Sequence, residues 1–261
     1  MPNPDLPAEL LDHVVDILHD ATDALKNCCL VSRLWIPRAR KHLFANVLFR
    51  DAKDLQSWKT TFPNPSTSPA HHTQALFIEF SPAVTAADAE EGGWISTFSR
   101  VVRFEIRTQL FEPENRTFLS FRGFSPALKF LHVSYIPISP LDVCSLVYSF
   151  PLLEDLRLAT TSRFDTDDPY DGKPATVQPS DLPPLTGTLK ISLNMKTHPM
   201  ISWLLSAPVG PHFRNLNLAW VFQGDASLIT ALVERCSSTL EYLRIDSYIY
   251  GAPNWYLVPC G

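Results

Sequence analysis

The chain has 261 residues, of which 45% are hydrophobic and 19% charged, with a formal net charge of −5. That length supports a substantial core in one large domain or two. There is no basic excess to argue for nucleic acid, and no apolar run near the roughly 18 residues that a membrane helix needs.

The N-terminus, MPNPDLPAELL, carries an acid where a signal peptide would carry a base. Five cysteines (28, 29, 144, 236 and 260) show no paired spacing, so a reducing cytoplasmic or nuclear compartment is expected. DLPAELLDHVVDILHD (5–20) reads as a helix, with Pro7 suited to its first position and Glu9 near the positive end of its dipole. Its apolar residues form two overlapping stripes, 10–14–17 and 11–15–18, too wide an arc for one short neighbour. Thr22 or Asp23 caps a second helix through Leu25, Cys28 and Cys29, and Pro37 opens a third, PRARKHLF. Three short helices in about 40 residues lie near the lower limit for independent stability. Yet this segment also carries Leu25, Leu30, Val31, Leu34 and Trp35. The surplus of apolar surface predicts a covering polypeptide, either another protein or the rest of this chain.

The ordered set Leu6-Pro7-x-Glu9, Val14, Leu18, Leu25, Leu30-Val31 and Trp35 resembles the F-box motif, and IPRARKHLF (36–44) resembles the form common in fungal F-box-like proteins. Ser32 stands where many members have cysteine. The resemblance covers residues 4–45. It implies docking on a Skp-family adaptor, and through it on a cullin, by Leu6, Pro7, Leu10, Val14, Leu18, Leu25, Leu30, Val31 and Trp35, with Trp35 bracing the helices and the contact together.

From residue 46 onwards an apolar-x-x-apolar-x-apolar motif recurs: VVRFEI (101–106), LKFLHV (128–133), LEDLRL (153–158), FRNLNL (213–218) and LEYLRI (240–245). Weaker copies are ALFIEF (75–80) and TLKISL (188–193), and FANVLF (44–49) is a possible early one. The middle positions Ile78, Phe104, Leu131, Leu156, Ile191, Leu216 and Leu243 are separated by 26, 27, 25, 35, 25 and 27 residues. A near-constant period of this size is the mark of a solenoid. Proline, unusually abundant at 23 residues, sits five residues before the middle position at Pro126, Pro151 and Pro211. Helical stretches fall between the motifs at 140–150, 198–207 and 226–236. The 35-residue interval marks an insertion, the polar loop 163–184. The pattern resembles the leucine-rich repeat, although the asparagine usual after the strand is absent from most copies and Asn194 is the nearest candidate. The expected fold is thus α+β/α/β: a three-helix F-box (4–45), then a leucine-rich-repeat-like α/β solenoid with a curved parallel sheet (46–261). The ordinary α/β domain is the competing reading. The end, NWYLVPCG (254–261), is apolar where solenoids carry a polar cap, which predicts a truncated product or a covered end.

No phosphate loop, GxSxG elbow or HExxH is present, so no catalytic, cofactor or metal residues are expected. The acidic run Asp165 to Gly172 lacks the glutamate of a calcium loop, having Thr176 in its place, and His71-His72 reads as a chance pair. The basic cluster Arg38, Arg40 and Lys41 reads as a solvated face. Side chains alternate along a strand, so the outward positions are Phe77 and Glu79, Arg103 and Glu105, Phe130 and His132, Asp155 and Arg157, Lys190 and Ser192, Asn215 and Asn217, and Tyr242 and Arg244. From Arg103 to Arg244, Ser192 excepted, these are the candidate substrate-binding residues, since solenoids bind partners on such a face and Tyr and Arg are favoured at hot spots. The expectation is a non-enzymatic substrate-recognition adaptor of a cullin–RING ubiquitin ligase. It binds an unknown protein substrate, and neither nucleic acid nor membrane. The alternatives are a protein-binding scaffold outside any ligase, and a hydrolase on an α/β domain.

Overall fold

The computed structural model describes residues 7–80, 94–108, 121–134, 140–159, 183–192, 197–207, 210–221, 226–249 and 252–257. Leu6, most of the 163–184 insertion with its acidic run, and Asn194 lie outside them.

Three helices open the chain: α1 (Ala8–Ile17), α2 (Thr22–Val31) and α3 (Ile36–Leu43). All are shorter or shifted relative to the sequence reading. Pro7 is the residue before α1 rather than its first, with ψ 139° outside the helical region. Ala21 precedes α2, and neither Thr22 nor Asp23 caps it, because Thr22 is already helical. Pro37 is the second residue of α3, and Trp35 precedes it. The helices share a small core of Val15, Leu25, Cys28 and Ala39, against which Leu18, Cys29, Trp35 and Leu43 pack half-buried.

A nine-stranded sheet follows: β1 (Asn46–Phe49), β2 (Ala75–Phe80), β3 (Arg103–Thr108), β4 (Phe130–Ser134), β5 (Asp155–Ala159), β6 (Thr188–Ser192), β7 (Asn215–Val221), β8 (Tyr242–Ile249) and β9 (Ala252–Leu257). Strand order in space is strand order in the chain, β1 through β9. β1 to β8 pair in parallel, and β9 pairs antiparallel to β8. The order never reverses, so the sheet has no topological switch point of the kind a doubly wound α/β domain places its ligand at. This is an α/β arrangement. The helices between strands are α4 (Ala52–Thr61), α5 (Pro140–Tyr148), α6 (Thr197–Ser206) and α7 (Ala226–Cys236), the last with the bounds its sequence predicts. α4 has a clear start signal: the Asp51 carboxylate accepts from Asp54 N at 2.9 Å.

Two apolar rows cross the sheet in register. One is Val47–Leu76–Phe104–Leu131–Leu156–Leu189–Leu216–Leu243, and the next is Phe49–Ile78–Ile106–Val133–Leu158–Ile191–Leu218–Ile245. They belong to one continuous core with Leu55 of α4, Val143, Leu146 and Val147 of α5, Met200, Ile201 and Leu204 of α6, and Ile229, Leu232 and Cys236 of α7. Each helix therefore covers the same face of the sheet.

The register corrects two sequence assignments. Ile78 and Ile191 lie in the second row, and the middle positions of those units are Leu76 and Leu189. The reason is that the first motif position is Val101, Leu128, Leu153 or Phe213, all fully buried, and the half-buried Leu240 in the β8 unit, but Thr73 and Thr186 in these two units. Threonine hides the repeat from an apolar pattern, although Thr73 is just as buried. In the corrected register Pro184 joins Pro126, Pro151 and Pro211 five residues before the row.

The backbone repeats as well. The carbonyl ahead of a strand accepts two consecutive N–H groups from the following unit: Ala45 from Gln74 and Ala75, Gln74 from Val102 and Arg103, Val102 from Lys129 and Phe130, Lys129 from Glu154 and Asp155, Gly187 from Arg214 and Asn215, and Arg214 from Glu241 and Tyr242. Two units carry local devices. Leu185 has a left-handed backbone, φ 41°, held by a fully buried side chain. Gly187 has no room for a Cβ, which would come within 2.7 Å of the Asp155 carboxylate that accepts from Thr188 N at 2.6 Å.

Candidate functional site

Two surfaces stand out. The first is the outside of the three helices. Leu10, Val14 and Ile17 of α1, Leu30 and Val31 at the end of α2, and Leu34 just beyond are all exposed, Leu30 at 84% and Leu34 at 76%. The described remainder of the chain does not cover them. Pro7 is exposed beside them, while Leu18 and Trp35 are half-buried. Leu25 departs from the expected contact set: it is 1% exposed and forms the helical core instead. Its position follows from α2 facing α1 and α3 along Leu25 and Cys28. Ile17 and Leu34 belong to the exposed face; the signal for Ile17 was its place in an apolar arc too wide to bury, and for Leu34 its place in the surplus of apolar residues.

The face is held in shape from behind. Arg38 of α3 donates to Asp16 of α1 through Nε at 2.6 Å and also through its second nitrogen, and His42 Nε2 lies 2.7 Å from the same carboxylate. Hydrogen bonds from Arg38, then His42, hold the Asp16 carboxyl well below the usual range. The basic cluster is therefore not simply solvated, since Arg38 fixes α3 against α1. Beyond α3, Phe44 meets Trp58 and Phe62 edge-on at 5.8 Å, and Phe49 meets Trp58 at 5.7 Å, an aromatic junction between the helices and the sheet.

The second surface is the sheet face turned away from α4 to α7. Strand alternation places the expected outward residues there, in one registered row Phe77–Glu105–His132–Arg157–Lys190–Asn217–Arg244. A parallel row holds Arg103 beside Phe130, Phe130 beside Asp155, and Asn215 beside Tyr242. Outward does not mean exposed in two cases. Glu105 is 3% exposed and Phe130 is buried, because long neighbours close over them. Arg103 bonds Glu105 through Nε at 2.8 Å, Arg107 donates to it at 3.1 Å, and His132 Nδ1 lies 3.4 Å away. Burial pulls the Glu105 pKa upward, but hydrogen bonding and charge from Arg103 outweigh it, so the carboxyl stays below its ordinary range. Burial lowers the His132 pKa more than Glu105 raises it, which leaves the ring neutral at neutral pH. The Phe130 ring carries two guanidinium groups, Arg103 at 4.3 Å and Arg157 at 4.8 Å from its centroid. Arg244 pairs with Asp246 at 3.0 Å, whereas Lys190 and Tyr242 are exposed.

Among the described residues two hollows open on this face, and Arg107 lines both. One, of about 360 Å³, is bounded by Asn46, Leu48, Phe77, Glu79 and Glu105. The other, of about 350 Å³, is bounded by Arg107, His132, Ser134, Arg157, Lys190 and Ser192. Arg107 and Ser134 were not among the expected residues, as both lie beyond the recurring motif.

Comparison of the chain with protein-family models, curated proteins and solved structures finds no match.

Among the described residues no His, Cys, Asp and Glu cluster is spaced to hold a metal ion. The His71 and His72 rings lie 3.9 Å apart and tilted at 50° in a short helical turn, with His71 Nδ1 2.7 Å from the Ser68 carbonyl. Burial raises the pKa of the Cys29 and Cys236 thiols, the reverse of what activates a nucleophile. No described helix is long and apolar enough to cross a membrane.

Proposed function

We propose that this chain is a substrate-recognition adaptor of an SCF-type cullin–RING ubiquitin ligase. In this reading residues 4–45 are an F-box docking on a Skp-family adaptor. Residues 46–261 are an irregular leucine-rich-repeat unit whose outward sheet face holds a protein substrate. The chain performs no chemistry of its own. It raises the effective concentration of substrate beside the charged ubiquitin-carrying enzyme. Such an assembly works in the cytoplasm or nucleus.

The observation that carries the reading is the exposed apolar face of α1, α2 and Leu34, in a unit whose own core, among the described residues, has only four buried apolar side chains. Burying a valine, leucine or isoleucine side chain contributes about 1.5–3 kcal/mol, so six such residues left exposed on these helices are a strong incentive to associate. The repeat half is supported by the sequential strand order and the recurring two-donor carbonyl.

The test is co-expression with a Skp-family adaptor. Wild type is expected to co-purify, and Leu10→Asp is expected to lose the partner. A well-folded wild-type chain that fails to bind would remove the ligase reading. A protein-binding scaffold outside any ligase would then be favoured by the two hollows of the sheet face, which lie apart from the helices.

A further inference from the structure

At the junction of the helices and the sheet, α3 packs against the short turn Pro69–His72 that precedes β2. The sequence around this junction is free of acids. There is no Asp or Glu between Asp23 and Asp51, between Asp54 and Glu79, or from 94 to 104, although the chain has 27 acids and a net charge of −5. Positive charge gathers there instead. Burial lowers the His72 pKa, and His71 and the charges of Arg40, Arg100 and Lys41 lower it further, so α3, the turn and the segment leading into β3 all bring basic groups near one ring. Lys41 and Arg100 are exposed and Arg40 is half-buried. None of these three has a carboxylate within ion-pair distance among the described residues. Lys26, Arg38, Lys129 and Arg244, by contrast, each have one. Asp16 is already occupied by Arg38 and His42.

Arg40 is held before any partner arrives. Its guanidinium lies 6.0 Å from the centroid of the Phe44 ring, which Trp58 and Phe62 pack edge-on. A cation fixed in advance loses little freedom on binding. The same charge reaches α2: burial raises the Cys29 thiol pKa, and Arg40 acts against it. Cys29 adjoins Leu30 and Val31, both exposed. The cations therefore continue the exposed apolar face. That continuity selects the kind of partner. A nucleic acid would meet the cations with its phosphates but would leave the leucine and valine uncovered. A negatively charged membrane would cover both, yet Glu9, Asp12, Asp20 and Asp23 are exposed on the same helices and a uniform anionic surface repels them. A polypeptide can set carboxylates against the junction and apolar side chains beyond it, which is how complementary protein surfaces are arranged.

We propose that this junction, with Arg40, Lys41, His72 and Arg100, is a docking surface for an acidic segment of a protein partner. The inference goes beyond the ligase reading and does not depend on it, since it rests on the unpaired cations and on the exposed apolar residues beside them.

The experiment titrates the full chain into a fluorescently labelled acidic peptide, Gly-Asp-Glu-Glu-Asp-Glu-Gly, and into its Asn/Gln counterpart, with anisotropy as the readout. Saturable binding of the acidic peptide is expected, weakening as salt is added, with none for the counterpart. Lys41→Gln combined with Arg100→Gln changes two exposed positions with little bearing on folding, and a urea unfolding curve checks that it folds. It should weaken binding about tenfold or more. Arg122→Gln, an exposed cation ahead of β4, should leave binding unchanged. No saturable binding of the acidic peptide would overturn the proposal, as would equal binding by the folded double variant. So would an oligothymidine, or vesicles of about one quarter phosphatidylserine, that bind more tightly than the peptide and depend on Lys41 and Arg100. Adaptor docking is scored separately on the same wild-type preparation. Peptide binding without adaptor binding would support the junction and remove the ligase reading; adaptor binding without peptide binding would overturn the junction and leave the ligase reading in place.

Discussion

The two halves of this molecule treat their apolar residues in opposite ways. From β1 onward most turn inward, and two registered rows merge with the helices into one continuous core. In the first three helices the core is four residues deep, while Leu10, Val14, Ile17, Leu30, Val31 and Leu34 stay outside. The sheet half is sustained by its own burial. The helical half is held by an ion-pair clamp, an aromatic junction and, in our reading, a partner. The difference teaches that apolar content alone does not report stability; the side on which it lies decides whether it serves folding or association.

Substitutions that attack each core should break the comparison most strongly. Phe104→Ala removes a fully buried ring at the centre of the sheet core and should cost about 3–5 kcal/mol in urea unfolding. Leu25→Ala should cost less, about 2 kcal/mol at the low end for such a change. Its effect should be local: hydrogen exchange should accelerate over α1 to α3 and stay unchanged in β3 to β7. If both variants loosened the whole chain alike, the two halves would be one cooperative unit.

Acid should sharpen the contrast next. The folded pKa of Asp16 is depressed by Arg38 and His42. Its contribution is therefore present above the ordinary carboxylate range and is lost as pH falls below that range. The helices should open in acid, and Asp16→Asn should abolish that acid dependence by removing the clamp at every pH. In the sheet half the neutral, half-buried His132 sets a smaller effect nearer neutrality. Because its folded pKa is depressed, the unfolded chain takes up a proton first, and stability should fall as pH drops below the ordinary histidine value. His132→Gln should flatten that slope in part, since burial also lowers the pKa of His72.

How much of this was legible depended on whether side chains or backbone carried the signal. The alternation of β3, β4, β5, β7 and β8 was plain because an apolar residue opens each motif. It failed by two residues at β2 and β6, where Thr73 and Thr186 hold that place. α4 was missed although Asp51, Asp54, Leu55 and Trp58 together spell a capped amphipathic turn. β9 was missed because Pro253 argues against a strand, and it is tolerated there on the outermost strand of the sheet. On the sheet face the outward parity was readable at every position. The closure of Glu105 and Phe130 beneath arginines was not, because it arises from side chains on neighbouring strands.

The smallest effect on folding should accompany a complete effect on association. Leu30 is the most exposed residue of the apolar face, so Leu30→Asp should change unfolding free energy by no more than about 0.5 kcal/mol. The decisive measurement is the affinity of purified wild type and Leu30→Asp for a Skp-family adaptor, with a urea unfolding curve for each. The account predicts binding by wild type, loss of at least tenfold in the variant, and coincident unfolding curves. Equal affinity for both proteins would contradict it, as would a variant that loses binding only because α1 to α3 no longer fold.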